Sequence, residues 1–136
     1  MTHPKAPDLA TLRSGKPLIV LVEDEFLLRV SLAKGIDDAG YSVLSAATGD
    51  EGLNLLRGGR ADLAIIDLVL PGRLDGLALA QAAKKLNPTL RLIMTSGKAL
   101  ANERNTATTL GPLLAKPFRL DDLLHEINRQ LGRTTH

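Results

Sequence analysis

Leu18-Ile19-Val20-Leu21-Val22-Glu23-Asp24-Glu25 runs an unbroken apolar stretch directly into three acids. Being apolar at every position, and not at every second one, the first five residues predict a parallel strand covered on both faces. The same passage from apolar run to reactive side chain recurs along the chain. Leu63-Ala64-Ile65-Ile66 predicts a strand ending at Asp67, and Leu90 to Thr95 another that leads into Ser96-Gly97. Leu113-Leu114-Ala115 predicts a short strand that leads into Lys116-Pro117-Phe118, and Tyr41 to Ala46 supplies one more.

Helical signals fill the intervals. Phe26, Val30, Ala33 and Ile36 recur at helical spacing until Gly40 stops the helix. Thr48-Gly49-Asp50-Glu51 has the spacing of a capping box and opens a helix through Leu56. Gly76 to Leu86 is rich in Ala and Leu, and Asn87-Pro88 ends it. Leu120, Leu123, Leu124, Ile127 and Leu131 mark an amphipathic last helix. The fourth helical stretch, Ala99 to Leu110, holds Asn102, Asn105, Thr106, Thr108 and Thr109 and is expected to be short or irregular, because such side chains compete for the backbone. Strands alternating with helices in this way imply an α/β fold: an open, doubly wound, five-stranded parallel sheet with helices on both faces. Residues 1–16 carry Pro4, Pro7, Ser14 and Gly15 without periodicity and are expected to form a flexible leader, with one domain over 17–132 and a tail over 133–136.

Composition narrows the function. The chain has 136 residues, 44% of them apolar and 24% charged, in the range of an ordinary globular domain with a real core. No apolar run approaches a membrane span and no signal-peptide core opens the chain, so a cytoplasmic location is expected and a membrane partner is not. There is no cysteine to form a disulfide or a thiolate metal site. The net charge is +2, and the aromatics are only Phe26, Tyr41 and Phe118. A base-stacking or phosphate-tracking surface needs more of both, so direct nucleic-acid binding is not expected.

In open parallel sheets the functional crevice lies beyond the carboxyl ends of the strands. Glu23, Asp24, Asp67, Ser96 and Lys116 all sit there. Two carboxylates about 5 Å apart at an effective dielectric near 20 repel by roughly 3 kcal/mol. A hard divalent cation removes that cost, and Mg²⁺ takes one or two carboxylates, a carbonyl and waters. Such a metal can bridge to a phosphoryl oxygen as Asp67 attacks phosphorus, while Ser96 donates to a second oxygen and Lys116 pairs with a third.

The blocks Val20-Leu21-Val22-Glu23-Asp24-Glu25, Ile65-Ile66-Asp67-Leu68-Val69-Leu70-Pro71, Asp75-Gly76, Met94-Thr95-Ser96-Gly97 and Lys116-Pro117-Phe118, in this order over roughly 17–132, resemble the receiver domains of response regulators in two-component signalling. The resemblance implies a flavodoxin-like sheet of strand order 2-1-3-4-5, with Asp67 as phosphoacceptor. It implies that Asp24 binds Mg²⁺ directly, Glu23 through water and Val69 through its backbone carbonyl. It makes Ser96 the switch hydroxyl, Lys116 the lysine of the site and the Lys116–Pro117 bond cis. It also implies a sensor histidine kinase or histidine phosphotransferase as donor, with a downstream protein partner that it does not name. With the chain stopping after its last helix, output is expected through protein binding, phosphate relay or a phosphate sink.

Two further features depart from the usual pattern. Gly72-Arg73-Leu74 makes the loop after Pro71 one residue longer, as in receivers that stand alone or belong to hybrid kinases. Leu113 stands where most receivers carry Tyr or Phe, so a switch that turns an aromatic ring inward would have to be modified here.

Blander readings exist for single motifs. Glu23-Asp24-Glu25 alone would suit a solvated helix start, Asp67 a turn, Ser96 a loop and Lys116 an open surface. Asp75-Gly76 reads as a helix cap and turn, and His3, His125 and His136 show no ligand spacing. Ser14-Gly15-Lys16 and Ser96-Gly97-Lys98 lack the preceding glycine spacing of a phosphate loop. At the level of function the alternative is a pseudo-receiver, an interaction module that is not phosphorylated. A phosphatase acting on external substrates would want a second Asp two residues after Asp67, where this chain has Val69.

Overall fold

The computed structural model describes residues 15–97 and 101–133. The expected leader up to residue 14, residues 98–100 and the tail from residue 134 lie outside the described residues. Leu18–Val22 (β1), Ser42–Ala46 (β2), Leu63–Asp67 (β3), Arg91–Ser96 (β4) and Leu113–Ala115 (β5) alternate with Phe26–Asp38 (α1), Gly49–Leu56 (α2), Gly76–Leu86 (α3), Ala101–Leu110 (α4) and Leu120–Gln130 (α5). The strands form one parallel sheet in the order β2-β1-β3-β4-β5.

Side chains alternate across a strand, so each apolar run feeds two cores. Val20, Val22, Ala64, Ile66 and Met94 point to one face, where Leu56 of α2, Leu79 and Ala83 of α3 and Ala107 of α4 cover them. Ile19, Leu21, Ile65 and Ile93 point to the other, under Leu32 and Ile36 of α1 and Leu123 and Ile127 of α5. Fully burying each such side chain stabilises by about 1.5–3 kcal/mol. Every residue of β1 and β3 is buried, which explains why neither shows polar alternation.

Local signals set the helix ends. Thr48 Oγ1 accepts from the Glu51 amide at 3.1 Å, and Asp75 Oδ1 from the Ala78 amide at 2.8 Å. Gly40, at φ +99°, closes α1. Tyr41 precedes β2 and is fully buried; its hydroxyl donates to Asn128 Oδ1, while the Arg133 guanidinium lies 4.7 Å from its ring centroid.

The fourth helix corrects the sequence expectation, because α4 is a regular ten-residue α-helix. Thr108 and Thr109 donate their hydroxyls to the carbonyls of Asn105 and Thr106, at 2.9 and 2.6 Å, which reconciles them with the helix. Burial of Ala107 and close seating of Gly111 on the Leu92 carbonyl override weak propensity.

Gly76 begins α3 against the end of β3: a Cβ there would lie 1.8 Å from the Asp67 carbonyl oxygen. Backbone cannot yield as a flexible side chain can. Gly76→Ala is therefore expected to destabilise by roughly 3 kcal/mol, the upper range of overpacking costs. Urea denaturation checks this, and a midpoint equal to wild type would contradict the packing argument.

Candidate functional site

β1 and β3 are neighbours, and the chain leaves them on opposite faces of the sheet, β1 through α1 and β3 through α3, so a crevice opens past their carboxyl ends. Glu23 extends β1, held by its amide to the Ala46 carbonyl at 3.0 Å. Asp67 is the last residue of β3 and pairs with Thr95 of β4. Ser96 ends β4 and pairs with Ala115 of β5. The Lys116 amide then donates to the Ser96 carbonyl at 2.8 Å, fixing where its side chain starts. The Lys116–Pro117 peptide is cis, as expected.

Lys116 Nζ lies 2.6 Å from Glu23 Oε1 and 2.7 Å from Asp67 Oδ2. Glu23 Oε2 accepts from the Glu25 amide at 3.0 Å, and Asp67 Oδ1 from the Val69 amide at 3.0 Å. One carboxylate oxygen each from Glu23, Asp24 and Asp67 lies within 4.8 Å of the others. Glu23, Asp67 and Ser96 are buried and Asp24 is exposed. Ser96 Oγ is buried and has no hydrogen-bond partner among the described residues. The acids, the hydroxyl and the amine named from sequence thus meet in one place. Leu113 does not join them: it pairs with Met94 at the start of β5, two residues before the strand reaches Ser96, and is half-buried against the core.

Burial pushes the Glu23 carboxyl above its usual range, helped by the neighbouring Asp67 charge, although the Lys116 and Glu25 hydrogen bonds pull it down. Burial pulls the Lys116 ammonium down, but its hydrogen bonds to Asp67 and Glu23 more than offset this and raise it. One ammonium thus serves a set of three carboxylates, leaving an all-oxygen site with excess negative charge. That donor set fits a hard divalent cation such as Mg²⁺.

Two features of the rim were not read from sequence. Phe26 and Val30, whose spacing signals the helix, are 64% and 50% exposed, and Leu27 is 75% exposed; α1 meets the core through Leu32 and Ile36 instead. Arg29 folds back so that Nη1 donates to the carbonyls of Glu23 at 2.9 Å and Asp24 at 3.3 Å. Its position one turn past the acids was the available signal.

The response regulator receiver domain family model matches residues 19–128, and the chain belongs to that family. It is a receiver domain of two-component signalling, a switch domain of the class that works with sensor kinases or phosphotransferases. Over 119 residues it is 33% identical to the response regulator MprA of Mycolicibacterium vanbaalenii, covering 86% of this chain and 51% of that protein. Over 133 residues it is 34% identical to the sensor kinase CckA of Brucella abortus, covering 95% of this chain and 14% of that one. The response regulator receiver protein CpdR of Brucella abortus is 33% identical over 115 residues, 83% of this chain and 95% of its own. The chain spans about half the length of its MprA relatives and a small part of CckA. The receiver domain protein (CheY-like) of Methanospirillum hungatei superposes with a TM-score of 0.82 at 30% identity, over 87% of this chain and 95% of that one. Among the described residues no helix is long and apolar enough to cross a membrane.

The side chains of Glu23 and Asp67 are 3% and 6% exposed, against 22% for Lys116. Lys116→Met would strand both charges and is expected to cost roughly 3 kcal/mol at neutral pH in metal-free buffer. Because the folded-state pKa of Glu23 is raised, the folded state binds more protons than the unfolded one, so this carboxyl destabilises as pH rises through its folded value. Part of the variant's deficit is therefore expected to disappear on acidification toward the ordinary glutamate range. Denaturant midpoints at pH 7 and pH 5 check this, and an identical deficit at both would contradict it.

Proposed function

We propose that Asp67 accepts a phosphoryl group from a phosphohistidine on a sensor histidine kinase or histidine phosphotransferase, in a Mg²⁺-dependent reaction. The observation that carries this reading is the Lys116 ammonium shared between buried Glu23 and Asp67, beside the unpaired Ser96 hydroxyl. An Asp67 carboxylate oxygen attacks phosphorus. The new O–P bond forms as the N–P bond breaks, and the imidazole nitrogen leaves with the electron pair. Lys116 then pairs with one phosphoryl oxygen, and Ser96 Oγ donates to another, gaining the partner it lacks. Asp24, Asp67 and the Val69 carbonyl would hold Mg²⁺ directly and Glu23 through water, and the ion would neutralise charge on the phosphoryl oxygens. The same groups support slow phosphorylation by small acyl phosphates and later hydrolysis of the acyl phosphate.

A second reading, the pseudo-receiver, draws support from Leu113, which has no ring to rotate. Against it stands the unrelieved acid cluster, which costs stability and gains nothing without a cation or phosphate to meet it.

Intact mass after incubation with Mg²⁺ and acetyl phosphate tests the reading. One added phosphoryl group on wild type and none on Asp67→Asn is expected. No addition from acetyl phosphate or from a phosphorylated histidine donor would select the pseudo-receiver.

The donor has to reach Asp67 past a rim of exposed apolar side chains: Phe26, Leu27 and Val30 on the first turns of α1, and Val69 at 55% exposure. An apolar helix face of the donor protein suits that rim. Leu27→Asp is expected to slow transfer from the phosphohistidine protein about tenfold, as loss of one interface anchor does. Its rate with acetyl phosphate should match wild type, and equal slowing with both donors would contradict docking on α1.

A further inference from the structure

Arg29 occupies an unfavourable place for a cation. It lies within about a turn of the start of α1, where the helix dipole opposes positive charge. Glu25 makes no side-chain cap and the first turn holds no acid, so the acids at that end are those that precede the helix, Glu23, Asp24 and Glu25. Among the described residues Arg29 forms no ion pair. Its hydrogen bonds go to backbone: Nη1 to the Glu23 carbonyl at 2.9 Å and to the Asp24 carbonyl at 3.3 Å. The guanidinium lies 5.5 Å from the Phe26 ring centroid, and the Arg29 amide donates to the Glu25 carbonyl at 2.9 Å. Among the described residues the guanidinium's hydrogen bonds and ring contact therefore fall on Glu23, Asp24 and Phe26.

We propose that Arg29 is a positioning residue, a clamp on the β1–α1 loop that keeps the Glu23 and Asp24 carboxylates aligned for a divalent cation. This rests on the function proposed above and adds to it a residue outside the acid, hydroxyl and amine set. Holding the carbonyls leaves both carboxylates free to face the crevice. The Glu25 amide steadies Glu23 from within the loop, and Arg29 steadies the loop from the helix. A lysine could reach one carbonyl as a point donor but could not reproduce a planar guanidinium stacked on Phe26.

Electrostatics and positioning predict opposite signs here. Deleting a nearby positive charge should tighten a dication site by Coulomb's law, whereas loss of the clamp should weaken it. Full-length wild type, Arg29→Met and Arg29→Lys titrated with Mg²⁺ alone, followed by amide NMR shifts of residues 23–25 and 67–69, separate the two. Arg29→Met is expected to bind Mg²⁺ about tenfold more weakly, within the range for loss of an outer-shell support. Arg29→Lys should fall between it and wild type, and it carries the comparison if the methionine variant does not fold. Affinity unchanged or raised in both variants, with wild type responding normally, would overturn the role of Arg29 alone. No Mg²⁺ response in wild type would overturn the proposed function and this inference with it.

Discussion

The ammonium of Lys116, shared by two buried carboxylates, is the constraint around which this end of the molecule is arranged. It joins the ends of β1, β3 and β5, although β4 separates β3 from β5. Neighbouring strands stand about 4.8 Å apart, so the side chain has to cross a full strand to reach Asp67. Only a long flexible stem does this; that of Lys116 passes Gly97, just after β4, where an added Cβ would lie at an ordinary contact distance of 3.9 Å from Lys116 Cβ and Cδ.

The arrangement is costly in isolation. Desolvation raises Glu23, and a buried hydroxyl without a partner costs about 1–3 kcal/mol. Glu23 follows β1, whose every residue is buried, and Ser96 ends β4, which is buried at all but its first residue, Arg91. The core therefore holds in place a site that would not hold itself. Under the proposed function a phosphoryl group would relieve the second of these penalties, by giving Ser96 Oγ an acceptor.

Much of this was legible in the chain. β1 and β3 declare themselves because burial on both faces leaves no polar alternation, and Asp67 and the acids of β1 follow those runs directly. Lys116 was legible through its place after β5. The first turn of α1 was not: periodicity shows that Phe26 and Val30 share a stripe with Ile36, but not where the sheet stops covering it. The residues of α4 spoke against a helix because propensity is local, while the burial of Ala107 is not. Arg29 was missed for a different reason: its targets are backbone carbonyls, which every residue carries, so only its place one turn past the acids pointed to them.

The extra residue after Pro71 shows how the fold absorbs a departure without loosening the site. Gly72 turns the chain at φ +92°, and Leu74 is half-buried against the core beside α2. The Leu74 carbonyl sits so close to Gly49 that a Cβ there would lie 2.1 Å away. On the acceptor side, Leu68 and Leu70 are buried and the Val69 amide is tied to Asp67. The loop is therefore anchored at both ends, and its exposed part narrows to Pro71, Gly72 and Arg73. An anchored loop cannot act as a broad cover over Asp67. Under the proposed function, discrimination between donors would then fall to the fixed surface around Asp67, with the apolar start of α1 as its main exposed feature.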